Sequence, residues 1–241
     1  MKITHFILIL SLSFGAYAQK EGKILYRYTP VYEDLDASEV WYMPIREKEL
    51  QQAEIMDIYL YFNEKGSYYV VEEHVEDIRS AKVSAHASFP IYYNKEEKKF
   101  YYRNLGFLGL SHGAYLIEDH VTIDWTLTDE SKIISGYKCF KAIGNNPLFS
   151  KFDKPFVPVE VWYTPDIPVS YGPYKYNGLP GLVLESIEQG KFYFRAEQID
   201  FLENVTFPTN LDMEGKKIKV LDYYRKFDEE ELNVHKYYPK D

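Results

Sequence analysis

The residues best suited to chemistry are few and scattered. Glu72, His74 and Glu76 alternate within Glu72-Glu73-His74-Val75-Glu76-Asp77. On a strand, alternate residues share a face, so these three could bind a divalent cation; the same pattern also describes a solvated polar face. No histidine pairs with another at i+2, i+3 or i+4, and no HExxH occurs. A metal site would therefore need ligands gathered from distant strands. Ser111 and His112 are neighbours, but adjacency in sequence does not give triad geometry. Glu160, Asp166 and Glu185 are candidates for the paired carboxylates of a glycosidase. In an acidic chain chance also explains their placement, and Asp166, in Thr164-Pro165-Asp166-Ile167-Pro168, reads as a turn residue using its side chain on backbone N–H groups. Cys139 is the only cysteine, which excludes an internal disulfide; in Tyr137-Lys138-Cys139-Phe140 it reads as a small buried hydrophobe. No phosphate loop, dinucleotide fingerprint or CxxC is present, and the residues imply no cofactor.

Whatever carries function must be positioned by strands. The chain has 24 tyrosines and 15 phenylalanines, residues that favour pleated surfaces. Gly22 to Thr29 reads as a strand with Ile24, Tyr26 and Tyr28 on one face. Ile55 to Phe62 and Ser67 to Glu73 read as a hairpin, as do Phe89 to Tyr93 and Lys99 to Arg103. Val121 to Thr128 and Ile133 to Ala142 predict a third, turning at Asp129-Glu130-Ser131-Lys132. Val157 to Tyr163 is a strand, and Leu182 to Ile187 with Lys191 to Glu197 make a fourth hairpin. Glu47 to Ala53 is rich in helix formers, and Val220 to Leu232 shows amphipathic helical spacing. These patterns predict a mainly β fold: a single curved antiparallel sheet or open barrel built from hairpins, with a short C-terminal helix.

The ends and the charge bound the setting. Residues 1 to 18 read as a signal peptide: Lys2, an apolar run from Phe6 to Leu12, then Ala16-Tyr17-Ala18, with cleavage after Ala18. The run is far shorter than a bilayer span of roughly 20 residues. Residues 19–241 then form one β-rich domain, with a loop-rich insertion near 144–158. The formal charge is −9, and loss of the leader removes one further positive charge. An acidic chain without a basic cluster is unsuited to nucleic acid.

The densest punctuation is Ile167 to Glu185, containing Gly178-Leu179-Pro180-Gly181-Leu182-Val183. Pro180 and Gly181 predict the central positions of a type II turn, with Gly181 at positive φ. Together with Trp125, Gly136-Tyr137-Lys138-Cys139, Val161-Trp162-Tyr163-Thr164-Pro165-Asp166-Ile167-Pro168 and Gly172-Pro173, this stretch resembles the GLPGLI family, exported proteins of Bacteroidota whose activity is not established. The sequence departs from the family in reading Leu182-Val183 for Leu-Ile, and in Pro158-Val159-Glu160, where members often carry arginine. The resemblance implies the cell envelope of a Gram-negative bacterium and no catalytic residues, the motif itself reading as architectural.

Three functions fit. The first is a non-catalytic envelope protein whose concave, aromatic-lined sheet face binds an apolar, lipid or peptide-like ligand or a protein partner. The second is a periplasmic hydrolase using dispersed carboxylates or a bound divalent metal. The third is an accessory to an outer-membrane receptor that pairs through an exposed edge strand.

Overall fold

A computed structural model describes residues 20–30, 51, 53, 56–72, 90–103, 115–120, 123–145, 158–188, 192–207, 213–223 and 225–226. It is mainly β. Among the described residues twelve strands make one open sheet: β1 Gly22–Pro30, β2 Asp57–Asn63, β3 Gly66–Glu72, β4 Ile91–Asn94, β5 Lys99–Tyr102, β6 Tyr115–Asp119, β7 Asp124–Ile134, β8 Tyr137–Asn145, β9 Val159–Thr164, β10 Leu182–Glu188, β11 Phe192–Phe201 and β12 Lys216–Lys219. Their order is β12-β6-β5-β4-β3-β2-β1-β11-β10-β9-β8-β7. A short helix follows β12, with residues 220–223 and 225–226 helical. No described helix is long and apolar enough to cross a membrane.

Most of the sheet follows from hairpin arithmetic. Tight connections at Glu64-Lys65 and over Lys95–Lys98 fix antiparallel registers between β2 and β3 and between β4 and β5. Alternation then divides the side chains. Ile24, Tyr26 and Tyr28 are buried on one face, with Ile58, Leu60 and Phe62 beside them. This inner face carries the main core. β6 and β12 are additions that periodicity does not predict, and they pair in parallel, the exception to an otherwise antiparallel sheet.

The third hairpin turns in a different place from the predicted one. The chain reverses at Ser135-Gly136, both at positive φ (48° and 85°). Asp129 to Lys132 lies within β7, where the pairing with β8 slips between Leu127 and Ser131. Thr128 explains the slip: its hydroxyl donates to the Lys141 carbonyl and accepts the Glu130 N–H, so a bulge takes the polar run that resembles a turn. The amphipathic helix begins at Val220 as read from sequence. Most of Glu47 to Ala53, and the insertion near 144–158 apart from its ends, lie outside the described residues.

Candidate functional site

The segment from Thr164 to Gly181 leaves β9 and returns to β10 by crossing the inner face. Thr164 is buried, and its hydroxyl accepts the Asp166 N–H at 3.3 Å. The turn therefore uses Thr164 as its side-chain acceptor, where sequence assigned that role to Asp166, which is exposed. Ile167 and Val169 point into the core, alternating with exposed Pro168 and Ser170. The Ile167 carbonyl accepts from Leu182 at 3.1 Å, and the Tyr171 carbonyl accepts from Val183 at 2.9 Å. The segment thus acts as a partner for the start of β10.

From there it reaches remote strands. Tyr171 packs on Phe62 and Tyr93, with ring centroids 6.5 and 6.1 Å away, and its hydroxyl donates to the Asn63 carbonyl at 3.1 Å. Burial pushes the Tyr171 hydroxyl up to about 12. Lys175 pairs with Asp119 of β6 at 2.8 Å, and both side chains are almost completely removed from solvent. The Lys175 ammonium also lies 4.9 Å from the Tyr102 ring and 5.2 Å from Tyr174. Tyr176 donates to Glu188 at 2.9 Å inside the core, and burial first, then the carboxylate, raises its hydroxyl well above the usual range. Tyr26 donates to the Val183 carbonyl. β6 and β9 are eight places apart in the sheet order, so one short segment bridging both requires strong curvature. The inner aromatic face expected to receive a ligand is occupied by Ile167, Val169, Tyr171, Tyr176 and Leu179 of the chain itself.

The six motif residues take distinct roles. Gly178 sits at φ +99°, where a side chain is strained. Its N–H donates to the Ser170 carbonyl at 3.2 Å. The preceding Asn177 ties its own segment to β7: its carbonyl accepts the Trp125 indole N–H at 2.9 Å, and its side-chain oxygen accepts the Gly172 N–H at 3.1 Å. Leu179 is buried and Pro180 exposed. Gly181 is not among the described glycines at positive φ, so the predicted type II conformation does not form. Glycine is needed there for space: a Cβ would lie 2.1 Å from the Thr164 carbonyl oxygen. Leu182 and Val183 are fully buried.

The outer face is organised differently. Register places Tyr61 opposite Tyr68, Tyr68 opposite Tyr92, and Tyr92 opposite Tyr101, one row of phenol rings across β2 to β5. Lys23 flanks the row on β1 and Glu118 on β6. Tyr92 stacks on Tyr101 at 6.3 Å, and Phe207 covers Tyr68 and Tyr92 at 6.1 and 5.9 Å. Tyr68 and Tyr101 are buried, while Tyr59, Tyr61 and Tyr92 remain partly exposed. Tyr61 donates to Glu72 at 2.9 Å. Burial and that carboxylate raise its pKa, as burial and Glu97 raise that of Tyr101.

Across β1, β11, β10, β9 and β8 the same face carries charge. Arg27 bridges Asp57 and Glu197, each at 2.7 Å. Glu185 is held by Lys132, by Arg195 at 3.9 Å and by the Tyr193 hydroxyl, which burial and Glu185 push up to about 12. Lys132 also lies 4.2 Å from the Trp162 ring centroid. Lys141 joins Glu130 and Glu160 at 3.3 and 3.1 Å.

Among the described residues the sequence candidates for chemistry do not gather into one cluster. Glu72 ends β3 as the acceptor for Tyr61; His74, Glu76, Ser111 and His112 lie outside the described residues. Glu160, Asp166 and Glu185 are bound to a lysine, exposed in a turn and clamped by two cations respectively. Among the described residues no three His, Cys, Asp or Glu side chains gather to hold a metal ion. Cys139 is fully buried, its thiol 3.6 Å from the Tyr137 carbonyl oxygen, and burial pushes it up to about 11. A thiol so protonated is a poor nucleophile. Sequence reasoning missed the Lys175–Asp119 pair and the tyrosine row. The row was recoverable: once the two hairpin loops are placed, Tyr61 must meet Tyr68 and Tyr92 must meet Tyr101.

Comparison with known proteins gives a family match over part of the chain and a likeness of fold. A family described as a protein of unknown function (Porph_ging) matches residues 149–185, the stretch through the inner-face segment and the start of β10. No curated protein matches the chain. Solved structures of PNGF-II in two crystal forms, P21 and C2, align with TM-score 0.53 at 16% and 15% identity, covering 86% of this chain and 32% of that one. The chain spans about a third of the length of the structures it matches, and at this identity the likeness is one of fold.

Proposed function

We propose that this chain is an exported cell-envelope protein of the GLPGLI kind, folded as one domain from Gln19 onward. In this reading it is a non-catalytic binding or accessory protein that receives a peptide-like ligand or a protein partner on its outer tyrosine face. The observation that carries the reading is the division of aromatic residues between the two faces. The inner rings pack on the chain's own segment, whereas Tyr59, Tyr61 and Tyr92 are left partly exposed on the outer face. Tyrosine offers a flat apolar ring with a polar tip, the combination enriched where proteins meet partners. The family that matches residues 149–185 has no assigned function, and the leader read over residues 1 to 18 supports export.

Native mass spectrometry on protein isolated from the periplasmic fraction tests this. The expected result is a chain beginning at Gln19 that carries a bound ligand or partner, lost in Tyr61→Ser/Tyr92→Ser while the variant keeps its native circular dichroism spectrum. A bare chain in every envelope preparation, or one found only in the cytoplasm, would overturn the reading.

A further inference from the structure

The sheet has two edges, and they are built in opposite ways. At one end β12 has four residues, three of them lysines. Lys217 reaches Glu118 at 3.6 Å and the Tyr101 ring at 5.3 Å, and Lys216 lies over Tyr115. Short strands and lysines are how natural sheets blunt an edge. The other end is β7, which has eleven residues and, among the described residues, one strand neighbour, β8. Leu127 and Ile133 are 53% and 67% exposed. Their partners Ala142 and Lys138 lie on one face of β8, so both apolar side chains present on the same side of the edge. The bulge between them leaves two four-residue ladders, Asp124–Leu127 and Ser131–Ile134.

This edge is held in place. The Trp125 indole is fixed to the Asn177 carbonyl, and Gly144 lies so close beneath the ring that a Cβ would come within 2.4 Å of it. The bulge is closed by Thr128. A rigid free edge binds without first being ordered.

Charge selects the occupant. Lys132 of β7 and Lys141 of β8 are committed to Glu185 and to Glu130 with Glu160, and Lys138 of β8 lies over the Phe140 ring at 5.2 Å. Asp124 and Asp129 are exposed and have no ion-pair partner among the described residues. The uncommitted charge on β7 itself is therefore negative. A second copy fits poorly: antiparallel self-pairing that sets Leu127 opposite Ile133 centres on Glu130 and places it against itself, and like charges directly opposed are destabilising. The whole chain is acidic as well.

We propose that the free edge of β7 is a strand-addition site for an extended segment of another protein, with basic residues at its centre beside Asp129 and apolar residues on either side against Leu127 and Ile133. Main-chain hydrogen bonds supply the attachment, and the two apolar contacts and the central charge supply selectivity. The site is distinct from the tyrosine face and stands or falls without it.

Hydrogen exchange of the full chain, read on the β7 amides, tests this with the capped peptide Val-Thr-Val-Lys-Lys-Val-Thr-Val. The peptide is expected to protect residues 124–134, and Leu127→Lys/Ile133→Lys, at exposed positions, to weaken binding by about tenfold or more while melting as the parent does. Tyr61→Ser/Tyr92→Ser is expected to bind the peptide unchanged. Equal protection by the peptide N-methylated at alternate residues, or by its counterpart with Glu for Lys, would overturn the proposal. So would loss of peptide binding in the tyrosine variant, or β7 protection by dimerisation of the chain before peptide is added.

Discussion

The two faces of this sheet use the same residue types for opposite ends. On the inner face, Tyr171, Tyr176 and Lys175 come from one connecting segment and meet Asn63, Glu188 and Asp119 of three strands. Each polar group is buried, so each must find its partner. On the outer face, Arg27, Glu185, Lys141 and the tyrosine row also pair across strands, but in partial contact with water. A buried ion pair is costly to break because the survivor cannot be solvated; an exposed one contributes little because water replaces either partner. The inner network therefore fixes where the Gly178 to Leu182 corner sits, and the outer one remains in partial contact with water.

That contrast can be broken most directly at Lys175. Lys175→Ala should destabilise by about 3–5 kcal/mol, the effect of stranding a buried charge, in denaturant unfolding. Lys175→Met with Asp119→Leu should recover most of that loss, whereas an unaffected single variant would mean the pair is open to water. Next come the two glycines. Gly181→Ala should cost about 1–3 kcal/mol through overpacking against the Thr164 backbone. Gly178→Ala, in a position with no atom closer than 3.8 Å to its Cβ, should cost about 1 kcal/mol through backbone conformation alone. Reversal of that order would mean that crowding against the Thr164 backbone is not what requires glycine at position 181.

Alkaline titration sharpens the same division. Cys139 is raised from 9.0 to about 11, and Tyr171 and Tyr193 from 10.0 to about 12. Each raised group retains its proton in the folded chain after the unfolded chain has lost it. The folded state binds more protons in that window, so stability falls with rising pH. The decline should begin near pH 9, with Cys139→Ala removing the part between 9 and 11. Stability flat from pH 9 to 12 would contradict the burial of these groups. The smallest effect is expected outside: Arg27→Gln should change stability by less than about 1 kcal/mol, and a larger loss would show the outer charges to be structural too.

Much of the fold was legible before any coordinates. Alternation in Ile24, Tyr26 and Tyr28 gave the buried face of β1, and short polar loops gave the β2–β3 and β4–β5 hairpins. The third turn was misplaced because Asp129 to Lys132 has turn composition, while the cross-strand bonds of Thr128 make it a bulge. The site was less legible. Trp125 meets Asn177 across 52 residues, Lys175 meets Asp119 across 56 and Tyr171 meets Asn63 across 108; none of these leaves a local period.

By itself the sequence determined which residues form strands and which side of each strand is apolar, because side-chain alternation and loop length are properties of neighbours along the chain. The tertiary structure alone decided which face stays open. That depends on the Thr164 to Gly181 segment turning back across the sheet, a path set by contacts between strands far apart in sequence. Backbone crowding at Gly181 and the burial of Lys175 against Asp119 select that path, and neither exists until the sheet has curved.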